Sequence, residues 1–155
     1  MSTVKVDTIQ TTGGVSEIAI DKLKGVSAAS SISVVGEGGT TTTNMQQGLA
    51  KSWWQYDHTN DTTDGSFNVS SINDDATGLY TTTLTNAQSS ITDRCVNLTT
   101  NWDTGETFAR VSCLRFTNGG SYTTSAISVL VYYVTSAQFA ADQNHNFGTV
   151  YGDLA

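Results

Sequence analysis

The stretch GLAKSWWQYDHTND, residues 48–61, sets two of the chain's three tryptophans side by side. In an extended strand, neighbouring side chains point to opposite faces of the sheet. Trp53 and Trp54 therefore cannot both fill one core from one strand. Either both faces of this strand are covered, or one indole lies on a surface that something else touches.

The rest of the chain supports the strand reading. After residue 45 it runs as short alternating segments separated by Gly, Asn and Asp clusters. SFNVSSI (66–72) alternates and leads into the turn NDDATG. LYTTTLT (79–85) alternates again and places Tyr80, Thr82 and Leu84 on one face. RCVNLTT (94–100), TFARVSCLRFT (107–117) and AISVLVYYV (126–134) follow, and FGTVYGDLA closes the chain. Short strands at near-regular spacing with turn signals between them predict an all-β fold, an antiparallel β-sandwich or jelly-roll-like domain. With no proline in 155 residues, the 14 glycines must do much of the turning. HTNDTTDG (58–65) reads as a loop.

Upstream, MSTVKVDTIQTTGG opens with the alternation of a short strand ended by Gly13-Gly14, and VSEIAIDKLKGVSAAS is ambiguous between helix and strand. GEGGTTTTN (36–44) reads as a linker. The expected organisation is an N-terminal segment over 1–35, a Gly/Thr linker over 36–44 and a β-sandwich domain over 45–155.

Composition narrows the function. Charged residues make up 14% of the chain, against a usual ~25%. Ser, Thr, Asn and Gln fill the gap. The 3 Trp, 6 Tyr and 5 Phe argue for a folded, polar-surfaced protein and against a disordered one. A net charge of −7 with scattered cations offers no basic patch for phosphates, so nucleic-acid binding is not expected. No apolar run approaches the ~20 residues of a membrane span, and the N-terminus lacks the apolar core of a secretory signal. The two cysteines are expected as reduced thiols. Cys95 and Cys113 are equidistant from Thr104, so a hairpin turning at Asp103-Thr104-Gly105 would set them opposite each other. A second hairpin is expected at Asn118-Gly119-Gly120.

A search for chemistry finds little. His58 and His145 belong to no Ser-His-Asp or Cys-His pattern, and structural roles are expected for both. There is no phosphate-binding glycine motif, and no cofactor is expected. Asp57–Gly65 offers hard oxygens but misses the EF-hand spacing and its closing Glu, so it reads as a polar turn and no metal is expected. Trp102 and Tyr122 flank turns, where exposed rings suit stacking on a sugar. The strand AISVLVYYV is apolar on both faces, with Ile127, Val129, Val131 and Tyr133 on one. With the Trp strand, it points to an oligomer interface beside the core.

GLAKSWWQYDHTN, GSFNVSSINDDATGLYTTTLTNA and the terminal VYGDLA resemble a module recurrent in tail-fibre and other virion proteins of marine phages, notably those of cyanobacteria. In that family the module opens with a GLAKAW-like strand, continues through an SFNVSSI-D-GTG-Y-T double strand and ends near FGDLA. The opening KVDTIQTTGGVSEI resembles the leader that precedes such modules. The likeness covers the start, residues 48–87 and the C-terminus. It implies a homotrimeric, β-rich, non-enzymatic virion protein, made in the host cytoplasm, with other virion proteins as partners. The chain lacks a shaft repeat. That fits a short tail fibre, knob or fibre adaptor acting in assembly and host attachment. A capsid decoration protein and a module recognising a host-surface glycan are the alternatives. Val4, Val6, Ile9 and Ile18 would attach the N-terminal segment to the particle. The family strand carries one tryptophan, KAWVNF, and Trp54 here takes the Val-like position. On that basis Trp53 is expected in the protomer core. Trp54, Tyr56, Ile127, Val129 and Tyr133 are expected at a subunit interface, and Trp102 and Tyr122 are the candidate ligand contacts.

Overall fold

The computed structural model describes residues 32–35, 39–101, 109–115, 122–134 and 139–154. The expected contacts at Val4, Val6, Ile9, Ile18 and Trp102 lie outside the described residues. The fold is all-β, as the alternation predicts. A small hairpin comes first, with β1 (Ser33–Val35) paired antiparallel to β2 (Thr42–Asn44). A third of the stretch expected as a linker is therefore a strand, and the expected boundary at residue 35 cuts through this hairpin. One helical turn, α1 (Met45–Gly48), leads into β3 (Ala50–Asp57).

Two antiparallel sheets then build the arrangement of a β-sandwich. One contains β4 (Thr62–Phe67), β3, β11 (Asn146–Tyr151) and β7 (Cys95–Thr100), in that order. The other runs β10 (Phe139–Ala140), β9 (Ala126–Tyr133), β6 (Leu79–Leu84) and β5 (Val69–Ala76), with β8 (Arg110–Leu114) also paired to β9. Half of the residues expected as a 58–65 loop are strand. The turn spans His58–Asp61, and β4 starts at Thr62.

The segment SFNVSSI is not one strand but two, in different sheets. Asn68 separates them in the left-handed region at φ 56°, a conformation that Asn tolerates better than most residues. Its side chain fixes the corner. Nδ2 donates to Lys51 O at 3.0 Å and to Asn86 O at 3.2 Å, and Oδ1 accepts from Asn86 N at 2.8 Å. The second sheet follows the predicted faces. Tyr80, Thr82 and Leu84 of β6 are all buried. β8 and β9 pair in antiparallel register centred between residues 121 and 122, and the chain enters β9 through a tight turn at which Tyr122 bridges Ile127; the expected turn at Asn118-Gly119-Gly120 lies outside the described residues.

The tryptophan pair resolves opposite to expectation. Trp54 is 1% exposed and sits in the core with Tyr56, while Trp53 is 43% exposed. The reason lies on the neighbouring strand. Gly148 pairs with Trp54, and a Cβ there would overlap the indole. The missing side chain makes room for the ring on the inner face only. Trp54 Nε1 then donates to Tyr80 Oη at 3.3 Å, joining the two sheets through the core. Val150, Val129, Val131, Ile127 and Leu84 fill the rest.

Four of the five residues expected at a subunit interface thus belong to the chain's own core: Trp54, Tyr56, Ile127 and Val129. Tyr133 is half-buried, with the Arg110 guanidinium 4.3 Å from its ring centroid. The other face of β9 is also covered within the chain at Ser128, which is fully buried beside Thr81.

The cysteine hairpin is corrected as well. β7 pairs with β11 and β8 with β9, so Cys95 lies opposite Tyr151 and Cys113 opposite Leu130. Both thiols are free, and burial raises the Cys113 pKa.

Two substitutions test this frame. Gly148→Ala drives a methyl into the indole, and overpacking of this kind costs about 1–3 kcal/mol. The urea midpoint should fall by the corresponding amount with an unchanged slope. Asn68→Ala removes the corner hydrogen bonds and strains the left-handed backbone, for a loss of about 2–3 kcal/mol. Asn68→Gly, which tolerates that φ, should lose less in the same measurement.

Candidate functional site

Two places gather side chains with chemical potential. The first lies at the end of β3. His58 is 2% exposed and packs against Tyr56 and Tyr80, each ring centroid 5.4 Å away. Its Nε2 is 3.1 Å from Asp74 Oδ1 and 3.4 Å from Asp142 Oδ1. Carboxylates only accept, so Nε2 carries the proton. Asp142 also accepts from Gly78 N at 2.6 Å. Gly78 is left-handed at φ 69°, and a Cβ there would overlap Val131 O. One imidazole therefore ties β3 to β5 and to the segment after β10. His58 N donates to Gln143 O at 3.0 Å, and Thr59 Oγ1 donates to Asn144 Oδ1 at 2.6 Å. The segments carrying the two histidines, distant in sequence, thus lie side by side.

The surrounding acids are engaged with separate partners. Asp61 accepts from Tyr56 Oη at 2.7 Å, and Asp64 accepts from Gln55 Nε2 at 3.3 Å. Asp57 accepts from the backbone N–H groups of Thr59 and Asn60 and from the Asn60 amide. Burial pushes the Asp57 pKa up, but those hydrogen bonds and His145 outweigh it and hold the carboxyl below its usual value. Burial, and then the hydrogen bond to Asp61, push the Tyr56 phenol far up. Burial does the same for Tyr80, against a smaller lowering by the Trp54 hydrogen bond. Both phenols stay protonated at neutral pH. Among the described residues no group of three or more His, Cys, Asp or Glu side chains could hold a metal ion. This cluster is a clasp. Its imidazole has no open side from which to reach a substrate.

The second place is the outer face of the β4-β3-β11-β7 sheet. Trp53 is 43% exposed, Phe67 54% and Phe147 40%. Phe67 lies directly across from Trp53, and Phe147 across from Gln55, two residues along β3. The three rings therefore share one surface. Gly65, opposite Gln55, gives the Trp53 ring its seat, since a Cβ there would lie 3.3 Å from Cζ3. Polar side chains border the rings, among them the Gln55 amide held by Asp64, and Asn97 and Thr149 on the neighbouring strands. Of its four strands only β3 carries a Lys or Arg, Lys51, which stands two residues before Trp53 and is 8% exposed. Its three aromatics form a patch larger than the single apolar side chains scattered over ordinary surfaces.

Tyr122 does not offer a free ring. It is half-buried against the core, and the Arg94 guanidinium covers it at 4.2 Å while Nε donates to its hydroxyl at 3.3 Å. Sequence reasoning missed Phe67 and Phe147, and placed Trp53 on the wrong face. The signal was Gly65 and Gly148 flanking the two tryptophans from opposite sides, visible only once the pairing of strands is known. Among the described residues no helix is long and apolar enough to cross a membrane. No family model, curated protein or solved structure matches the chain.

A double-mutant cycle tests the clasp. His58→Ala and Asp74→Ala should each destabilise the fold, and the pair should lose about 1–2 kcal/mol less than the sum. Urea denaturation of the four proteins gives the coupling.

Proposed function

We infer that the chain is a non-enzymatic virion protein of the short tail-fibre, knob or fibre-adaptor type. It assembles as a homotrimer and acts in particle assembly and host attachment through a docking surface. The observation that carries this reading is the open aromatic face of Trp53, Phe67 and Phe147. The core is already filled from the other side of the same strands, so these rings serve something outside the protomer. The sequence resemblance of residues 48–87 and of the C-terminus to phage virion modules supplies the setting. The buried clasp supports a structural role, because its one imidazole is closed to substrate.

Quantitative mass spectrometry of purified particles tests the assignment. The chain should be present at a few to a few tens of copies, in a multiple of three. Hundreds of copies would place it on the capsid as a decoration protein, and absence from the particle would overturn the reading. Sedimentation of the purified chain should give three times the mass of the 155-residue protomer.

A further inference from the structure

We propose that the outer face of the β4-β3-β11-β7 sheet binds a neutral glycan, with Trp53 as the stacking platform. This rests on the attachment reading above and names the ligand of the same face.

Size is the first argument. Four strands at ~4.8 Å spacing and about six residues at ~3.3 Å rise make a face of roughly 19 by 20 Å. That footprint of roughly 400 Å² is about half of the ~800 Å² that a stable protein–protein interface takes from each partner. It matches a short run of sugar rings. A second copy stacked on this face alone would be held too weakly to persist.

Charge is the second. The chain carries a net charge of −7, the face presents the Asp64 carboxylate, and the one cation on its four strands, Lys51, is 8% exposed. Phosphates, sialylated or sulfated chains and anionic lipid surfaces would be repelled. A neutral partner would not.

Chemistry is the third. A pyranose ring has an apolar C–H face and a rim of hydroxyls. Trp53 is seated against Gly65 on one side and is 43% exposed, so a flat ring is open to the first. Phe67 and Phe147 extend the apolar surface along both neighbouring strands. The rim needs planar groups that both donate and accept. The Gln55 amide is oriented by its hydrogen bond to Asp64, which leaves its carbonyl oxygen to accept from a sugar hydroxyl. Asn97 and the Thr149 hydroxyl stand on the far side of the rings. Few rotatable groups need ordering, because the platform is built on strands and not on a loop.

The test uses the full chain on an array of neutral and acidic oligosaccharides, followed by tryptophan-fluorescence titration. The titrants are hexaoses of glucose, galactose and mannose. The wild type should bind a subset of the neutral glycans. Trp53→Ala should weaken that binding at least about tenfold, and Phe147→Ala should weaken it less, with both variants keeping the wild-type melting temperature. Binding restricted to acidic glycans, binding unchanged in Trp53→Ala, or no neutral glycan bound at millimolar concentration would overturn the proposal. So would glycan-free self-association that Trp53→Ala abolishes. Particle mass spectrometry separates the two readings. A chain present on particles but blind to glycans sinks only this proposal, whereas a glycan binder absent from particles sinks only the virion assignment.

Discussion

The contact between the Trp54 indole and the bare backbone of Gly148 sets the geometry of the core. A side chain at position 148 would occupy the space that the Trp54 indole fills. Gly148 leaves that space open, so the ring can lie across β11 and reach the opposite sheet. There its N–H meets the Tyr80 hydroxyl. Tyr80 in turn packs against Tyr56, centroids 5.0 Å apart, and against His58. One glycine thus fixes which face of β3 is inside, and the tyrosine it indirectly positions anchors the clasp at the strand's end. A slip of one residue between β3 and β11 would send every side chain of β3 to the wrong face.

Much of this is legible in the sequence, and the limits have a physical cause. Period-two alternation groups residues by face, and it grouped Tyr80, Thr82 and Leu84 correctly. It does not say which group is inside. In LYTTTLT both groups are largely buried, Leu79 and Thr81 as well as Tyr80, Thr82 and Leu84. For KSWWQY both faces are aromatic, and the deciding residue, Gly148, lies far along the chain. The cysteine pairing failed for a related reason. It assumed that consecutive strands pair, whereas β7 pairs with the last strand. Asn68 was hidden inside an alternating run because a single left-handed residue does not disturb the hydrophobic pattern. It redirects the chain from one sheet to the other without changing the pattern's period. In the candidate site, Trp53 was in view from the start, but its partners Phe67 and Phe147 were invisible without the register.

The low apolar content of the chain shows in what the core holds. Ser52, Thr82, Gln88, Ser128 and Asn146 are buried along with the aromatics and valines. Asn146 illustrates how such a core is made specific. Its amide donates to Tyr56 O at 3.2 Å and Gln143 O at 2.7 Å, tying β11 to β3 and to the segment before it. Bonds of this kind add little net stability each, yet a misregistered strand would leave the Asn146 amide N–H groups buried and unpaired. The cost of error, more than the gain from each bond, selects the register.

The same economy explains the outer face. A strand that contributes Ser52, Trp54 and Tyr56 to the interior has already done its part for the fold at every inward position. Its outward positions are free of that constraint, and polar residues there would suit a sheet facing water on one side. Three of the outward positions shared among β3, β4 and β11 are aromatic instead. Exposed rings on a sheet invite aggregation unless something limits it. Here the rings are bordered by amides, hydroxyls and a carboxylate, and Trp53 is seated on a glycine that holds it against the sheet. Polar borders and a seated ring keep the patch available without making it adhesive to any apolar surface. A partner both apolar and hydroxylated, as the glycan proposal requires, would meet matching groups across the whole of that face.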